Sequence, residues 1–191
     1  MPALIAPIEV EEFEANHVAV QAITLDQPGH PLAFGPLVNL PGPQSLQIGG
    51  NVKTDELRGG GGSIDQRAKI TMLKVTIVHA LLSLDALAVM AGGTESITGA
   101  TPNTQAKYSQ TVDKLPAFLL EASSDVGVTD QGDVHHLFWK CRLDAVPKSG
   151  FGNETFEVPS LSFSVMRPFA DRTKLWDILV NETALPIVAH V

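Results

Sequence analysis

Along much of this chain apolar and polar residues alternate with a period of two, the pattern of strands that bury one face. A short strand is expected over residues 17–25. In residues 44–57, Leu46, Ile48 and Val52 share one parity, which predicts a strand with one buried side. A return strand over 69–80 places Leu73, Val75 and Ile77 on one face. Ile70, Met72 and Val78 fall on the other, which predicts burial on both sides of that strand. Phe118, Leu120 and Ala122 alternate. In residues 134–145, Leu137, Trp139, Cys141 and Leu143 form one face against His136, Lys140 and Arg142. In residues 155–166, Leu161, Phe163 and Val165 alternate with serines, and Pro159 predicts a bulge where the parity shifts.

Two stretches have helical spacing instead. In residues 83–92 Ser83 is an N-cap, Asp85 sits in the first turn, and Leu84, Leu87, Ala88 and Ala91 make a narrow stripe that ends at Gly92. In residues 172–181, Leu175, Ile178 and Leu179 predict a short C-terminal helix. Residues 26–43 hold Pro28, Pro31, Pro36, Pro41 and Pro43, and read as a loop or an edge, because proline cannot donate to a ladder. Residues 94–111 read as a polar linker. Between the strands at 44–57 and 69–80, residues 51–68 form an arm with little that could pack inside a domain, tipped by Gly59, Gly60, Gly61 and Gly62. The fold expected is mainly β (α+β), one domain over residues 1–191. It has a long hairpin over 44–80, a flanking helix over 83–92, and a core that includes Val75, Ile77, Leu87, Trp139, Leu143, Leu161 and Phe163.

Composition narrows the function. The chain has 191 residues, 44% apolar and only 18% charged, with a net charge of −8. An acidic chain lacks the basic face that gripping nucleic acid requires. Cys141 is the single cysteine, so no disulfide can form within the chain. No apolar run reaches the roughly 18 residues of a membrane span, and no basic segment precedes an apolar run at the start. A soluble protein made in a cytoplasm is expected. Metal and catalytic signals are thin. His135 and His136 are adjacent on a strand and so point to opposite sides. Asp125, Asp130 and Asp133 lack the spacing of a calcium loop. The glycine run is followed by Ser63-Ile64-Asp65, without the Lys and Ser or Thr of a phosphate loop. Cys141 lies among apolar neighbours and reads as a small core residue. No catalytic residue, cofactor or metal is expected.

Three segments together resemble the major tail tube proteins of long-tailed, siphovirus-type bacteriophages. They are Lys74-Val-Thr-Ile-Val-His-Ala-Leu-Leu-Ser-Leu-Asp-Ala-Leu-Ala-Val-Met-Ala-Gly92, Leu115-Pro-Ala-Phe-Leu-Leu-Glu-Ala-Ser-Ser124 with Asp133-Val-His-His-Leu-Phe-Trp-Lys-Cys-Arg-Leu143, and Glu157-Val-Pro-Ser-Leu-Ser-Phe-Ser-Val-Met166. The resemblance covers roughly residues 44–168 and rests on packing patterns. It implies a β-sandwich or half-barrel with a flanking helix, assembled as hexameric rings that stack into a tube. It further implies tape-measure, tail terminator and distal tail proteins as partners, and DNA that crosses the lumen without sequence-specific binding. The place implied is the virion tail, assembled in the host bacterial cytoplasm. The arm would then contact a neighbouring subunit through Asn51, Lys53, Asp55, Glu56, Arg58 and the four glycines. The related tube of a type VI secretion-like contractile system, and a small-ligand-binding β-barrel, are the other readings.

Overall fold

The computed structural model describes residues 15–59, 62–79, 83–110, 113–125, 132–145, 160–181 and 183–191. The protein is mainly β, as the alternation predicts. The strands are β1 (Ala15–Leu25), β2 (Ala33–Leu40), β3 (Pro43–Gly59), β4 (Gly62–His79), β5 (Thr94–Thr98), β6 (Gln105–Ser109), β7 (Phe118–Asp125), β8 (Asp133–Leu143), β9 (Ser160–Val165) and β10 (Trp176–Asn181), and the helix is α1 (Leu84–Ala91). Seven strands form an antiparallel path in the order β2-β1-β7-β8-β9-β4-β3, with β10 added to β8 beside β9. The sheet curls until β3 approaches β1 without bonding to it. The result is a half-barrel, closed on its concave side by α1.

α1 starts where Ser83 Oγ accepts from Ala86 N (3.2 Å), and it stops at Gly92, whose φ is 77°. Its buried residues are Ala86, Leu87, Met90 and Ala91. Leu87 and Ala91 are in the expected stripe, but Leu84 and Ala88 are only half-buried. Ala86 and Met90 replace them because the helix meets both the sheet and the small β5–β6 hairpin. That hairpin corrects the linker expected at 94–111. Its strands pair from Thr94↔Ser109 to Thr98↔Gln105. Tyr108 Oη donates to Gly92 O, and Gln110 Nε2 donates to Ala91 O (2.8 Å), so this polar hairpin supplies partners for the carbonyls left open at the helix end.

The core contains Val75, Ile77, Leu87, Leu143, Leu161 and Phe163 as expected, joined by Phe118, Leu120, Phe138 and Met90. Trp139 is not in it. Phe118 pairs with Cys141 and Leu120 with Phe138, so two residues of β7 span three of β8. The extra residue sits where β8 exchanges β10 for β9 as its neighbour: β10 pairs with 133–138 and β9 with 141–143. The bulge flips the parity. Cys141 and Leu143 face the core as expected, but before the bulge His136 and Phe138 do so, while Leu137 faces outward and Trp139 is half-buried. Burial pushes the Cys141 thiol pKa well up, as befits a core cysteine.

The expected C-terminal helix at 172–181 is also corrected: residues 176–181 form β10. Leu175, Ile178 and Leu179 have helical spacing, yet Trp176, Ile178 and Val180 equally fit a strand. The unpaired edge of β8 settles the competition by offering a six-residue ladder, Trp176↔Phe138 to Asn181↔Asp133. The proline-rich stretch holds the edge strand β2, in which Gly35 and Pro36 fall in a register shift between Ile23↔Phe34 and Gln21↔Leu37. Residues 155–159, with the bulge expected at Pro159, lie outside the described residues.

Candidate functional site

β3 and β4 pair along their whole length, from Pro43↔His79 to Gly59↔Gly62. β9 supports β4 only from Leu73 to Val78. Residues 51–59 and 62–72 are therefore a two-stranded ribbon whose backbones bond only to one another among the described residues. The unsupported pairing spans the residues 51–68 expected for the arm and continues on β4 to Met72. A two-stranded ribbon without a supporting face is marginal by itself.

The root of the ribbon overturns one expectation. Val52 and Ile70 are direct partners, so they share a face, and they are 58% and 57% exposed. Met72 is 40% exposed. The second apolar face of β4 is thus uncovered, and Val52 is not part of the core that Leu46 and Ile48 pack against. Val52 keeps the parity of Ile48 but lies beyond Leu73, where β9 stops supporting the hairpin, and the register shift beside it, with Thr71 as the extra residue on β4, brings Ile70 opposite Val52. Asn51 sits opposite Met72, and its carbonyl accepts from Thr71 Oγ1 (3.0 Å). Lys53 stands opposite Lys69, Asp55 opposite Arg67, Glu56 opposite Gln66, Arg58 opposite Ser63, and Gly59 opposite Gly62. The side chains of Asp55, Glu56 and Arg58, and the whole of Gly60 and Gly61, lie outside the described residues.

A second uncovered apolar feature was not foreseen. β10 bonds to β8 on one side only among the described residues, and its Ile178, Leu179 and Val180 are all exposed. Consecutive strand residues point to opposite faces, so this strand shows apolar side chains on both. Short, charged or covered edges prevent stray pairing, and β10 has an uncharged edge centre.

The convex face of β1, β7 and β8 is buried too, beneath the segment 183–191. Here Gln21, Glu121, Asp133 and His135 lie almost wholly out of solvent. His135 Nδ1 donates to Glu121 Oε1 (2.6 Å), and Nε2 donates to Asp133 Oδ2 (2.9 Å) and Leu185 O (3.1 Å). Asp133 Oδ2 also accepts from Leu185 N (2.8 Å), and Oδ1 from Asn181 Nδ2 (2.7 Å). Glu121 Oε2 accepts from His190 Nε2 (2.8 Å). Gln21 brackets the His190 main chain: Oε1 accepts from its N (2.9 Å), and Nε2 donates to its O (3.3 Å) and to Gly35 O (2.8 Å).

Burial alone would raise both carboxyls. The hydrogen bonds outweigh it, from His190 and His135 for Glu121, and from Asn181, His135 and Leu185 for Asp133, and hold both below their ordinary values. Burial would lower His135, but its bonds to Glu121 and Asp133 outweigh that and raise it above the ordinary 6.5. Asp133 is thus committed to bonds within the sheet and to the segment 183–191, and residues 126–131, with Asp130, lie outside the described residues. His136, on the opposite face, stacks with Phe138 and Trp176, which also stack on each other.

Trp139 borders this region. Its Nε1 donates to Asp177 Oδ2 (2.6 Å), Lys174 Nζ lies 3.7 Å from its ring centroid, and the rings of Phe34 and His190 approach it. Lys140 is buried against Asp26 (Nζ–Oδ2 2.6 Å). Among the described residues, no helix is long and apolar enough to cross a membrane. No protein-family model and no curated protein matches the chain.

Proposed function

We propose that this chain is a structural subunit that assembles with copies of itself into stacked rings forming a tube, of the kind that the tail tube proteins of long-tailed bacteriophages build as a conduit for DNA. The observation that carries this reading is the ribbon of residues 51–72. It extends past the strand that supports it and carries exposed Val52, Ile70 and Met72 at its root. An uncovered apolar face beside an unsupported ribbon is stabilised by a second surface, and mixed charges farther out select which surface that is. The exposed apolar edge of β10 adds a second place where another copy can continue the sheet. A net charge of −8 fits a conduit that releases DNA rather than holding it. On this reading the protein is not an enzyme. It acts in a virion tail, with the tape-measure, terminator and distal tail proteins as further partners.

The test is to replace residues 53–66 with a short glycine-serine turn. Among the described residues the backbones of 53–59 and 62–66 pair only with each other, so the circular dichroism spectrum and melting temperature should stay close to those of the full chain. Tubes seen by negative-stain electron microscopy of the full chain should be absent from the variant. Normal polymerisation of the shortened protein would refute the role of the ribbon. If the full chain stayed monomeric at high concentration, the whole proposal would fall.

A further inference from the structure

The segment 183–191 lies over the convex face of β1, β7 and β8 without joining the ladder. It is held at two points, the main chain of Leu185 and the main chain and ring of His190. Of its larger apolar side chains Leu185, Val188 and Val191 are exposed and Ile187 is half-buried. Open cavities of about 340 and 370 Å³ flank it, one beside Leu185–Ile187 and one beside His190–Val191. A segment with few apolar contacts and a few hydrogen bonds opens before the sheet beneath it.

The groups that hold Leu185 meet at one imidazole, and Glu121, which bonds the His190 ring, meets it too, while Gln21 holds the His190 main chain separately. Both ring nitrogens of His135 face only acceptors: Glu121 Oε1, Asp133 Oδ2 and Leu185 O. With both carboxyls ionised none of the three can donate, so this geometry is the one a doubly protonated His135 satisfies. The charged or titratable groups around it are Glu121 from β7, Asp133 from β8 and His190 from the segment itself. β1 contributes the neutral Gln21, and β10 the neutral Asn181.

We propose that residues 185–190 are a proton-gated strap: the His135 imidazolium, fixed between Glu121 and Asp133, holds the segment against the sheet, and loss of its proton releases it. Each deprotonated tautomer removes a donor from this cluster. Without the Nε2 proton, a nitrogen lone pair faces Asp133 Oδ2 and Leu185 O, the two atoms that position the strap at Leu185. Without the Nδ1 proton, Glu121 loses a donor and keeps His190 as its other histidine partner. In both cases two carboxylates beneath the strap lose the cation between them, and keeping them out of solvent without it opposes closure. The ligand of this site is the chain's own extended segment. The inference does not depend on the assembly reading.

The experiment follows the dilute full chain through a rising pH series. Hydrogen exchange of the Leu185 and His190 amides, corrected for intrinsic rates, reports the strap, and imidazole nitrogen resonances report the charge on His135. His135 should be doubly protonated near neutrality. Protection of both amides should fall at least roughly tenfold with the same midpoint as the His135 titration. Glu121→Gln keeps an acceptor for His135 but removes a charge. It should move both midpoints down together, by about one pH unit. Asp133→Asn should do the same from the other side. A neutral His135 near neutrality, or amides that stay protected after His135 has titrated, would overturn the proposal. So would a release midpoint that stays put while that of His135 moves.

Discussion

Phe138 and Trp139 are neighbours, and the bulge in β8 gives them opposite fates that a pair of truncations can read. Phe138 is fully buried, pairs across the sheet with Leu120 and stacks on Trp176 and His136. Phe138→Ala removes a whole ring from a close-packed layer and leaves a cavity, which costs about 3–5 kcal/mol. Trp139 is half-buried. Its truncation loses one hydrogen bond to Asp177, a cation–π contact with Lys174 and edge contacts with Phe34 and His190, all near solvent. Those terms sum to about 1–2 kcal/mol. At about 2–4 °C per kcal/mol for a chain of this size, the melting temperature should fall by roughly 10 °C for Phe138→Ala and about half of that or less for Trp139→Ala. Urea unfolding followed by circular dichroism gives the same comparison as free energies. A Trp139→Ala loss equal to or larger than that of Phe138→Ala would mean that β8 runs without the bulge and that the parity read from its sequence holds throughout.

Two further outcomes follow from local geometry. Gly93 has φ +103°, and an added Cβ would lie 2.4 Å from Ser109 O, so Gly93→Ala should cost about 1–3 kcal/mol in urea unfolding while leaving the strand content unchanged. Asp26 is buried against Lys140; burial raises its pKa, but the Lys140 ammonium and the Ala170 N–H outweigh that and hold it below the ordinary 3.8. A lowered carboxyl contributes stability that is present above its unfolded value and lost as pH falls through its folded value. Asp26→Asn should therefore be less stable near neutrality by about 1–2 kcal/mol, and the two proteins should converge in strong acid. A gap that persists unchanged in acid would assign the effect to packing instead.

The strands were legible because one face of most of them is buried in the core that α1 joins, and a period of two records that directly. Val75, Ile77, Leu161 and Phe163 needed no more than alternation and burial. What misled was local. In β8 the alternation read from Leu137 to Leu143 is genuine in the sequence, yet a single extra residue at the change of neighbour strand inverts its first half. In residues 176–181 both helical and strand periods fit, and only the open edge of β8, distant in sequence, decides between them. In residues 94–109 the polar content concealed a hairpin whose role is to cap the end of α1. The arm was legible for the opposite reason, since a stretch too polar to pack inside leaves few places for the chain to go.

The buried polar face shows where strand patterns stop carrying information. Glu121 alternates with Leu120 and Ala122 and reads as a solvent face, whereas Asp133 and His135 share the parity of Leu137 and stand as polar residues at the start of an apolar face. Together with Gln21 they are covered by Leu185 and His190, which lie far along the chain. A trace was present: Ala19 beside Val18 and Val20, Leu119 between Phe118 and Leu120, and Leu137 beside Phe138 are apolar on both faces, which predicts a second layer over the middle of the sheet. The polar residues beside them then restrict what that layer can be. A helix has bonded most of its N–H and C=O groups internally and could not satisfy buried Gln21 and Asp133 along its length. An extended, irregular segment carries free donors and acceptors on every residue, and it can bond to side chains without strand register. Apolar burial on both faces, interrupted by polar residues at the same depth, therefore calls for a strap of main chain, and residues 185–190 meet that need with the N–H and C=O groups of Leu185 and His190.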